Sequence, residues 1–499
     1  MKYSENIYWA IPEIFLVTAT VALLAYGVIY SKIGGKYSQQ RKITWLSIIT
    51  LAFTALIILS QILEYMQAWE GTIYIAGVFG VDILTLACKL VVIFSAMVIL
   101  ILSLEYYAER GWAIYEYTLL ILLSTLGMLV LVSARDLISL YLGIELVSLS
   151  LYVLAGMERK RQYSTEAALK YFLLGALSSG LLLLGSTLVY TFTGETTFSG
   201  LSAVLWYSHD SLGIKAGAVL MITALLFKLA AAPFHMWAPD VYEGSPTIVT
   251  AYFAIVPKIA ILTALITLLF APLLGLWDEG LQTLILVSAG ASLFVGALGG
   301  LNQTKLKRLL AYSAIGHMGF ILLAVGTSTL WSLQAVYTYI IYYIIMSIAS
   351  FTIVLSIFKG SLNYIAQLSG LSRTQPVLAA TLAMTLFSMA GIPPLAGFLS
   401  KYLVLLAAIE NGFFMISIIA VLTSVISAFY YLRIIKWMYF KDTSDFHYKD
   451  LVDVSITRIN VDLPRSIVLG VCMWFILTLL IYPNPILNLV FDVLGGYIL

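Results

Sequence analysis

Four ionisable residues lie near the middle of long apolar stretches: Glu145, Lys228, Lys258 and Lys401. A charge at the centre of a membrane helix costs about 2.5–3.5 kcal/mol, so four unpaired charges would together cost on the order of 10 kcal/mol. Ionisable side chains at such depth are typical of ion and proton pathways. Because burial disfavours a charged lysine and a nearby carboxylate favours it, a Lys–Glu neighbourhood can take up and release protons. A buried Glu–Lys pair that only locks helices together is the structural alternative.

Composition predicts that membrane helices position these residues. The chain has 499 residues, of which 61% are hydrophobic and only 10% charged, and its mean hydropathy is +0.99. Soluble domains carry roughly 25% charged residues. Apolar runs of about 20 residues, the length that crosses a bilayer, recur throughout and are continuous rather than alternating. We therefore predict an all-α polytopic membrane protein, because in lipid a helix satisfies its own backbone groups.

We expect about 14 transmembrane helices. The predicted spans, numbered 1 to 14 in chain order, lie near residues 7–30, 43–63, 81–104, 115–133, 137–157, 165–192, 213–234, 248–270, 281–301, 308–326, 331–358, 377–408 (interrupted), 413–439 and 465–482.

The loop lysines and arginines are distributed unevenly between the two predicted faces. Nearly all of them follow odd-numbered spans, whereas Lys2, Arg135 and Lys215 lie on the other face. By the positive-inside rule, the basic face is cytoplasm or mitochondrial matrix and both termini lie opposite. The net charge of +2 therefore indicates orientation rather than nucleic-acid binding. Lys89 and Lys170 lie near the starts of spans, and we expect their side chains to snorkel to the headgroups.

The residues that hold redox cofactors and metals are scarce. Two cysteines, Cys88 and Cys472, lie inside apolar runs, which predicts no iron–sulfur cluster, zinc site or disulfide framework. No glycine-rich dinucleotide fingerprint and no P-loop is present. Of the four histidines, His209 and His447 lie in predicted loops, and His235 and His317 are far apart in sequence. We expect no cofactor and no metal in this chain.

An internal repeat relates two interrupted spans. "LLFKLAAAPFHMW" at 225–237 aligns with "TLFSMAGIPPLAG" at 385–397, so that Pro233 meets Pro393. A proline in mid-span breaks the helix, and paired interruptions in two halves indicate the transport site of inverted-repeat transporters. We predict broken helices 7 and 12 within two inverted five-helix repeats. The predicted organisation is a three-helix segment (1–110), two repeats (111–272 and 273–440), and a polar loop with helix 14 (441–499).

Several longer motifs carry a family resemblance. "DLISLYLGIELVSLSLYVLAG" (136–156), "STEAALKYFLLGALSSG" (164–180), "FKLAAAPFHMWAPDVYEGSPT" (227–247), "KRLLAYSAIGHMGF" (307–320) and "MAGIPPLAGFLSKY" (389–402) resemble the chain 2, or bacterial subunit N, type of respiratory complex I. These are antiporter-like, proton-pumping membrane subunits of NADH:ubiquinone oxidoreductase. The motifs occur in the same order over about residues 115–440.

The resemblance implies a role for each of six residues. Glu145 matches the fifth-helix glutamate, Lys228 the lysine before the seventh-helix break, Lys258 the eighth-helix lysine and Lys401 the twelfth-helix lysine. His235 matches the broken-helix histidine and His317 the tenth-helix position, and a purely structural role stays open for both histidines. The implied route takes a proton from the basic face to Lys228, through Lys258 to Lys401, and out to the opposite face.

Activity, cofactors and partners follow from the same resemblance. NADH:ubiquinone reductase activity with proton translocation would belong to the assembled complex, with FMN, iron–sulfur clusters and ubiquinone in partner subunits. The partners would be other membrane-arm subunits, including further antiporter-like ones, together with lipid. The mitochondrial inner membrane is favoured, with the bacterial plasma membrane as the alternative. A subunit of a multisubunit cation/proton (Na⁺/H⁺) antiporter and a non-conducting structural subunit remain the alternative functions. The polar segment 441–464 matches no motif.

Overall fold

The computed structural model describes residues 7–30, 36–68, 72–75, 77–110, 114–207, 211–357, 364–441 and 461–498. These residues are almost entirely helical, which confirms the all-α prediction. Strands β1 (Ile73–Ile75) and β2 (Phe79–Val81) form a small antiparallel hairpin. His209, His447 and most of the polar segment 441–464 lie outside the described residues.

Ten helices precede residue 271 in the described part. They are α1 (Ile11–Tyr30), α2 (Lys36–Ala68), α3 (Ile83–Arg110), α4 (Glu116–Ser133), α5 (Leu137–Ala155), α6 (Gln162–Thr193), α7 (Phe198–Tyr207), α8 (Leu212–Lys228), α9 (Trp237–Gly244) and α10 (Thr247–Phe270).

Short 3₁₀ and π turns at Leu274–Leu276 and Trp277–Leu281 lead into the later helices. These are α11 (Gln282–Leu301), α12 (Leu306–Thr327), α13 (Leu330–Ile357), α14 (Leu371–Thr374), α15 (Pro376–Ala390), α16 (Ala396–Glu410), α17 (Phe414–Phe440), α18 (Leu463–Ile481) and α19 (Asn484–Ile498), with a 3₁₀ turn at Ile365–Leu368 before α14.

Within the described residues, 11 helices are long and apolar enough to cross a membrane, or up to 12 if α18 and α19, bent by 87°, form one broken span. Predicted spans 7 and 12 are interrupted as expected. The first ends at Lys228 after 17 helical residues. The second consists of α15 and α16, each 15 residues long, separated by residues 391–395. The total of fourteen spans and the inverted repeats remain predictions.

The chain divides into two compact units. Unit 1 contains Met1–Ala230, Gly244–Leu284 and Phe491–Leu499. Its centre is α10, whose residues from Thr247 to Leu269 are all buried, and which packs against α3, α4, α5 and α8. Helices α6 and α8 approach closely at Gly185 and Gly217, where a Cβ on either glycine would meet the carbonyl oxygen of the other. Small residues at such contacts are what lets membrane helices pack.

Unit 2 contains Ala231–Glu243 and Ile285–Val490. Its central helix is α13, which packs against α12, α15, α16 and α18. Helices α11 and α12 meet closely at Gly296, where an added Cβ would contact the backbone of Gly316. The segment Ala231–Glu243, which follows the first break, therefore belongs to the same unit as most of the second half of the chain.

Among the described residues of unit 1, two buried ion pairs stand out, and one of them contradicts a prediction. Lys89 is fully buried, and its ammonium lies 2.7 Å from a carboxylate oxygen of Glu13. The expectation that Lys89 snorkels to the headgroups is wrong, because a carboxylate on α1 is within reach. Arg135 pairs with buried Asp82 at 2.8 Å. Lys170 is half-exposed and pairs with Glu166 one turn earlier on α6, so its snorkelling remains a prediction.

Candidate functional site

Lys228 is the last residue of α8, where the helix breaks, and it is 8% exposed. Its ammonium donates hydrogen bonds to the Ser148 hydroxyl at 2.7 Å and to the Tyr152 hydroxyl at 3.1 Å. Both acceptors belong to α5 and follow Glu145 by three and seven residues, a spacing that places all three on one helical face. The structure thus brings Lys228 to within about one turn of Glu145 along that face.

Glu145 is half-buried on α5, and its carboxylate interacts electrostatically with Lys228. The start of α5 is defined by Asp136, whose carboxylate accepts hydrogen bonds from the backbone amides of Ile138 at 2.9 Å and Ser139 at 3.4 Å. An aspartate N-cap of this kind stabilises a helix by about 1 kcal/mol. It also fixes where the helix begins, and so which face Glu145 occupies.

The backbone that follows Lys228 is held by two serines. Ala230 adopts a left-handed conformation with φ of 59°, and the Ala232–Pro233 bond is cis. Within unit 2, the amide of Ala232 donates to the Ser292 hydroxyl at 2.8 Å, and its carbonyl accepts from the Ser288 hydroxyl at 2.7 Å. These side chains replace backbone hydrogen bonds that the break removes, as a buried peptide group requires. His235 lies in this segment and is half-buried.

Lys258 lies in the middle of α10 and is 3% exposed. It directly follows Pro257, which is inside the helix. Because proline has no amide hydrogen, the carbonyl four residues earlier loses its helical donor. Lys258 is therefore a buried ionisable residue in the central helix of unit 1, beside an interruption of that helix's hydrogen-bond ladder.

Lys401 lies on α16 and is 8% exposed. Its ammonium donates a hydrogen bond of 2.8 Å to the carbonyl oxygen of Ala390, the last residue of α15. Gly391 ends that helix in a left-handed conformation with φ of 84°. The ammonium also lies 5.2 Å from the centre of the Phe320 ring. The second break thus provides Lys401 with a backbone acceptor at a helix C-terminus, the end that favours a positive charge.

His317 is buried on α12, and both of its ring nitrogens face hydroxyl groups. Nδ1 lies 2.8 Å from the Tyr339 hydroxyl and Nε2 lies 3.4 Å from the Tyr431 hydroxyl. Tyr431 is also hydrogen-bonded to Ser313. His317 and Lys401 line the same cavity, of about 20 Å³. A water molecule needs about 10–15 Å³ on this measure, so the cavity can hold one.

The sequence-predicted residues therefore fall into separate groups. The structure places Glu145 close to Lys228 in unit 1 and His317 on one cavity with Lys401 in unit 2, while Lys258 is buried in α10. His235 lies beyond the first break. Among the residues that the structure describes, no group of three or more histidine, cysteine, aspartate or glutamate side chains is arranged to hold a metal ion.

Sequence reasoning missed the hydroxyl groups that bind the charged residues. Ser148 and Tyr152 had a detectable signal, because their spacing from Glu145 places them on its helical face. Tyr339 and Tyr431 had none, since each lies on a different helix from His317 and far from it in sequence. Serine and tyrosine hydroxyls both donate and accept hydrogen bonds, so they can pass protons between ionisable groups.

Comparison with known proteins identifies the family. A family model described as NADH:quinone oxidoreductase/Mrp antiporter, TM, matches residues 134–427. NADH-ubiquinone oxidoreductase chain 2 of Marchantia polymorpha is 40% identical over 486 residues, covering 95% of each chain. NADH-quinone oxidoreductase subunit N of Rhodobacter capsulatus is 43% identical over 439 residues, covering 87% of this chain and 89% of the relative. The chain belongs to the NADH:quinone oxidoreductase/Mrp antiporter membrane family, as the motifs predicted.

Solved structures agree with this assignment. A chain of respiratory complex I from Thermus thermophilus with bound aureothin is 29% identical and superposes with a TM-score of 0.77, covering 96% of this chain and 98% of that one. A chain of the Mrp complex from Dietzia sp. DQ12-45-1b is 20% identical, with a TM-score of 0.80 and 98% coverage of both chains. At that identity the second match establishes the fold alone.

Proposed function

We propose that this chain is a proton-conducting membrane-arm subunit of NADH:quinone oxidoreductase, of the chain 2 or subunit N type. The observation that carries the proposal is the buried side chain of Lys228, the residue at which α8 breaks. Its ammonium is hydrogen-bonded to Ser148 and Tyr152 on the helix of Glu145. A buried lysine beside a carboxylate and two hydroxyls is suited to binding and releasing a proton. The names of the relatives, from plants and bacteria, support placing it in that complex.

The proposed mechanism moves a proton along the ionisable residues. A proton enters from the basic face near the first break and binds neutral Lys228, whose charged form Glu145 stabilises. It continues through Lys258 to Lys401 and leaves towards the opposite face. Glu145 couples the chain to its neighbours, because a change of charge or position there alters how strongly Lys228 holds its proton. A conformational change can drive conduction only if the two conformations differ in how strongly Lys228 holds its proton.

The electron-transfer chemistry is assigned to other subunits. Electrons pass from NADH to quinone through FMN and iron–sulfur clusters in partner subunits, and this chain contributes proton translocation to the complex.

We further propose fourteen membrane spans with two inverted repeats. This is supported by the left-handed residues Ala230 and Gly391, one at each interrupted helix. An alignment that matches these two residues is shifted by one residue from the alignment in which Pro233 meets Pro393.

The proposed location is an energy-transducing membrane, with the basic loops on the matrix or cytoplasmic side and the termini opposite. The mitochondrial inner membrane is favoured and the bacterial plasma membrane is the alternative, since relatives of both kinds match nearly the whole chain.

One experiment tests the assembly and the transport together. Native membranes are solubilised gently, complexes are separated on a native gel, and the band with NADH dehydrogenase activity is analysed by peptide sequencing. We expect one copy of this chain in that band. Recovery of the chain only in a smaller assembly without NADH activity, together with sodium/proton exchange in vesicles, would establish the antiporter alternative. Normal pumping by a complex that carries Lys228→Ala would exclude conduction through this residue and favour a purely structural role for the chain.

A further inference from the structure

A series of hydrogen-bonded side chains leads to His317 within unit 2. Ser313 and His317 are four residues apart on α12 and therefore share one face of that helix. The hydroxyl of Tyr431, on α17, lies between them and is hydrogen-bonded to Ser313, with 3.4 Å separating it from Nε2 of His317. All three residues line the cavity that also contains the Lys401 side chain.

This series of hydrogen-bonded side chains runs from the side of the α11–α12 loop towards the middle of α12. Arg433, two residues beyond Tyr431, donates hydrogen bonds of 2.5 and 2.6 Å to the carbonyl oxygens of Leu301, at the end of α11, and of Gln303 in that loop. At 1.5 Å per residue, Ser313 lies about 10 Å and His317 about 16 Å along α12 from its start at Leu306. Half of a hydrocarbon core is about 15 Å. Ser313 thus lies about two thirds of the way from the start of α12 to its middle, and His317 lies at the middle.

We propose that Ser313, Tyr431 and His317 form a second proton relay, which supplies Lys401 from the face of the α11–α12 loop without passing through Lys228. This proposal rests on the proposed function. A proton that arrives at Ser313 passes to the Tyr431 oxygen while the Tyr431 hydroxyl gives its own proton to Nε2 of His317. The imidazolium then transfers this Nε2 proton through cavity water to the neutral amine of Lys401, and the ring returns to the tautomer in which Nε2 can accept again. Each step breaks one O–H or N–H bond and forms another, so tyrosine and serine end neutral.

Tyr339 is a positioning residue in this arrangement. Its hydroxyl lies 2.8 Å from Nδ1 of His317 and fixes the ring, so that Nε2 is directed at Tyr431. A hydrogen bond on one ring nitrogen determines which nitrogen exchanges a proton. Tyr343 provides a matched comparison. Its ring packs on His317 with a centroid distance of 5.4 Å, but its hydroxyl bonds to Ser347 instead.

The test uses the assembled complex in sealed inverted membrane vesicles, with NADH oxidation and proton uptake measured in the same sample. Tyr431→Phe keeps the ring and removes the hydroxyl, and Tyr343→Phe is the control. We expect Tyr431→Phe to assemble and to lower the protons taken up per NADH oxidised, with the proton-transfer rate reduced at least about tenfold. Tyr343→Phe should match the wild type. Ser313→Ala should lower the ratio like Tyr431→Phe, and Ser313→Thr should restore it.

Two results would overturn the relay: a wild-type ratio in Tyr431→Phe, or equal losses in Tyr431→Phe and Tyr343→Phe, which would indicate a packing role for the tyrosines. If Tyr431→Phe assembles poorly, Ser313→Ala decides: normal assembly and pumping by Ser313→Ala would also overturn the relay. Failure of the proposed function is distinguishable, because vesicles with wild-type chain would then show no NADH-driven proton uptake that depends on Lys228.

Discussion

Lys401 donates its hydrogen bond to the carbonyl oxygen of Ala390, the residue that ends the preceding half-helix. Lys228 is itself the final residue of a half-helix. Lys401 is therefore held at a helix C-terminus, where unpaired carbonyls carry a partial negative charge, whereas the Lys228 ammonium is bound by two hydroxyls of α5. This explains how an apolar chain keeps cationic groups away from water without placing a carboxylate directly against each one.

Replacement of Lys228 should remove the proton route through this residue without preventing assembly. Lys228→Met keeps most of the side-chain volume but cannot bind a proton, so we expect proton transfer through Lys228 to fall at least about tenfold, which leaves only the protons that reach Lys401 through His317. Proton uptake by NADH-energised vesicles measures this, and a native gel measures assembly. Lys215→Met, at the start of the same helix, should pump normally. An assembled Lys228→Met complex with wild-type pumping would exclude Lys228 from the pathway.

The Ser148 hydroxyl should be needed to hold Lys228. A hydrogen bond to a charged group stabilises by about 1.5–3 kcal/mol, so Ser148→Ala should slow pumping by roughly tenfold or more, and Ser148→Thr should recover most of it. Ser150→Ala is the matched control, because its hydroxyl bonds to the carbonyl of Leu146 on its own helix. If Ser148→Ala and Ser150→Ala pump equally well in the same vesicle assay, the Ser148 contact has no role in transport.

The charge of Glu145 should matter more than its shape. Glu145→Gln removes the negative charge that acts on Lys228, and we expect pumping to fall several-fold. Glu145→Asp keeps the charge on the same helical face and should retain much of the activity. The initial rate of proton uptake at matched NADH oxidation distinguishes the two variants. Equal activity of both would show that the carboxylate charge is not required.

The buried Glu13–Lys89 pair should contribute to stability. Lys89→Met leaves a buried carboxylate without its cation, at a cost of about 3–5 kcal/mol, so the variant should yield less assembled complex. The double variant Glu13→Gln, Lys89→Met removes both charges and should recover much of the yield. Lys170→Met breaks an exposed pair worth about 0–1 kcal/mol and should assemble normally. Native-gel band intensities measure the yield of assembled complex for each variant, and a normal yield of Lys89→Met would contradict the prediction.

The close packing at the second break should be sensitive to one methyl group. A Cβ at Gly397 would collide with the carbonyl oxygen of Ser388, whereas one at Gly180 meets nothing within 4 Å. We expect Gly397→Ala to destabilise the fold by about 1–3 kcal/mol through overpacking, and Gly180→Ala to be tolerated. Thermal inactivation of the purified complex compares them. The packing argument fails if both variants inactivate at the wild-type temperature.

The sequence by itself determined the membrane class, the helix breaks and the central charged residues. Long apolar runs leave helices as the way to satisfy the backbone in lipid, prolines mark the interruptions, and the motifs around Lys228 and Lys401 identify the family. These are local properties of the chain, which is why they can be deduced without knowing the fold.

Only the tertiary structure decided which groups the charged residues contact. Lys228 reaches Ser148 and Tyr152 across 80 and 76 positions of sequence, and Lys89 finds Glu13 instead of the headgroups. In a helix that is apolar on every side, periodicity does not indicate which face meets which neighbour. Close approach at glycines and the satisfaction of buried polar groups decide that, and both depend on contacts between segments far apart in the chain.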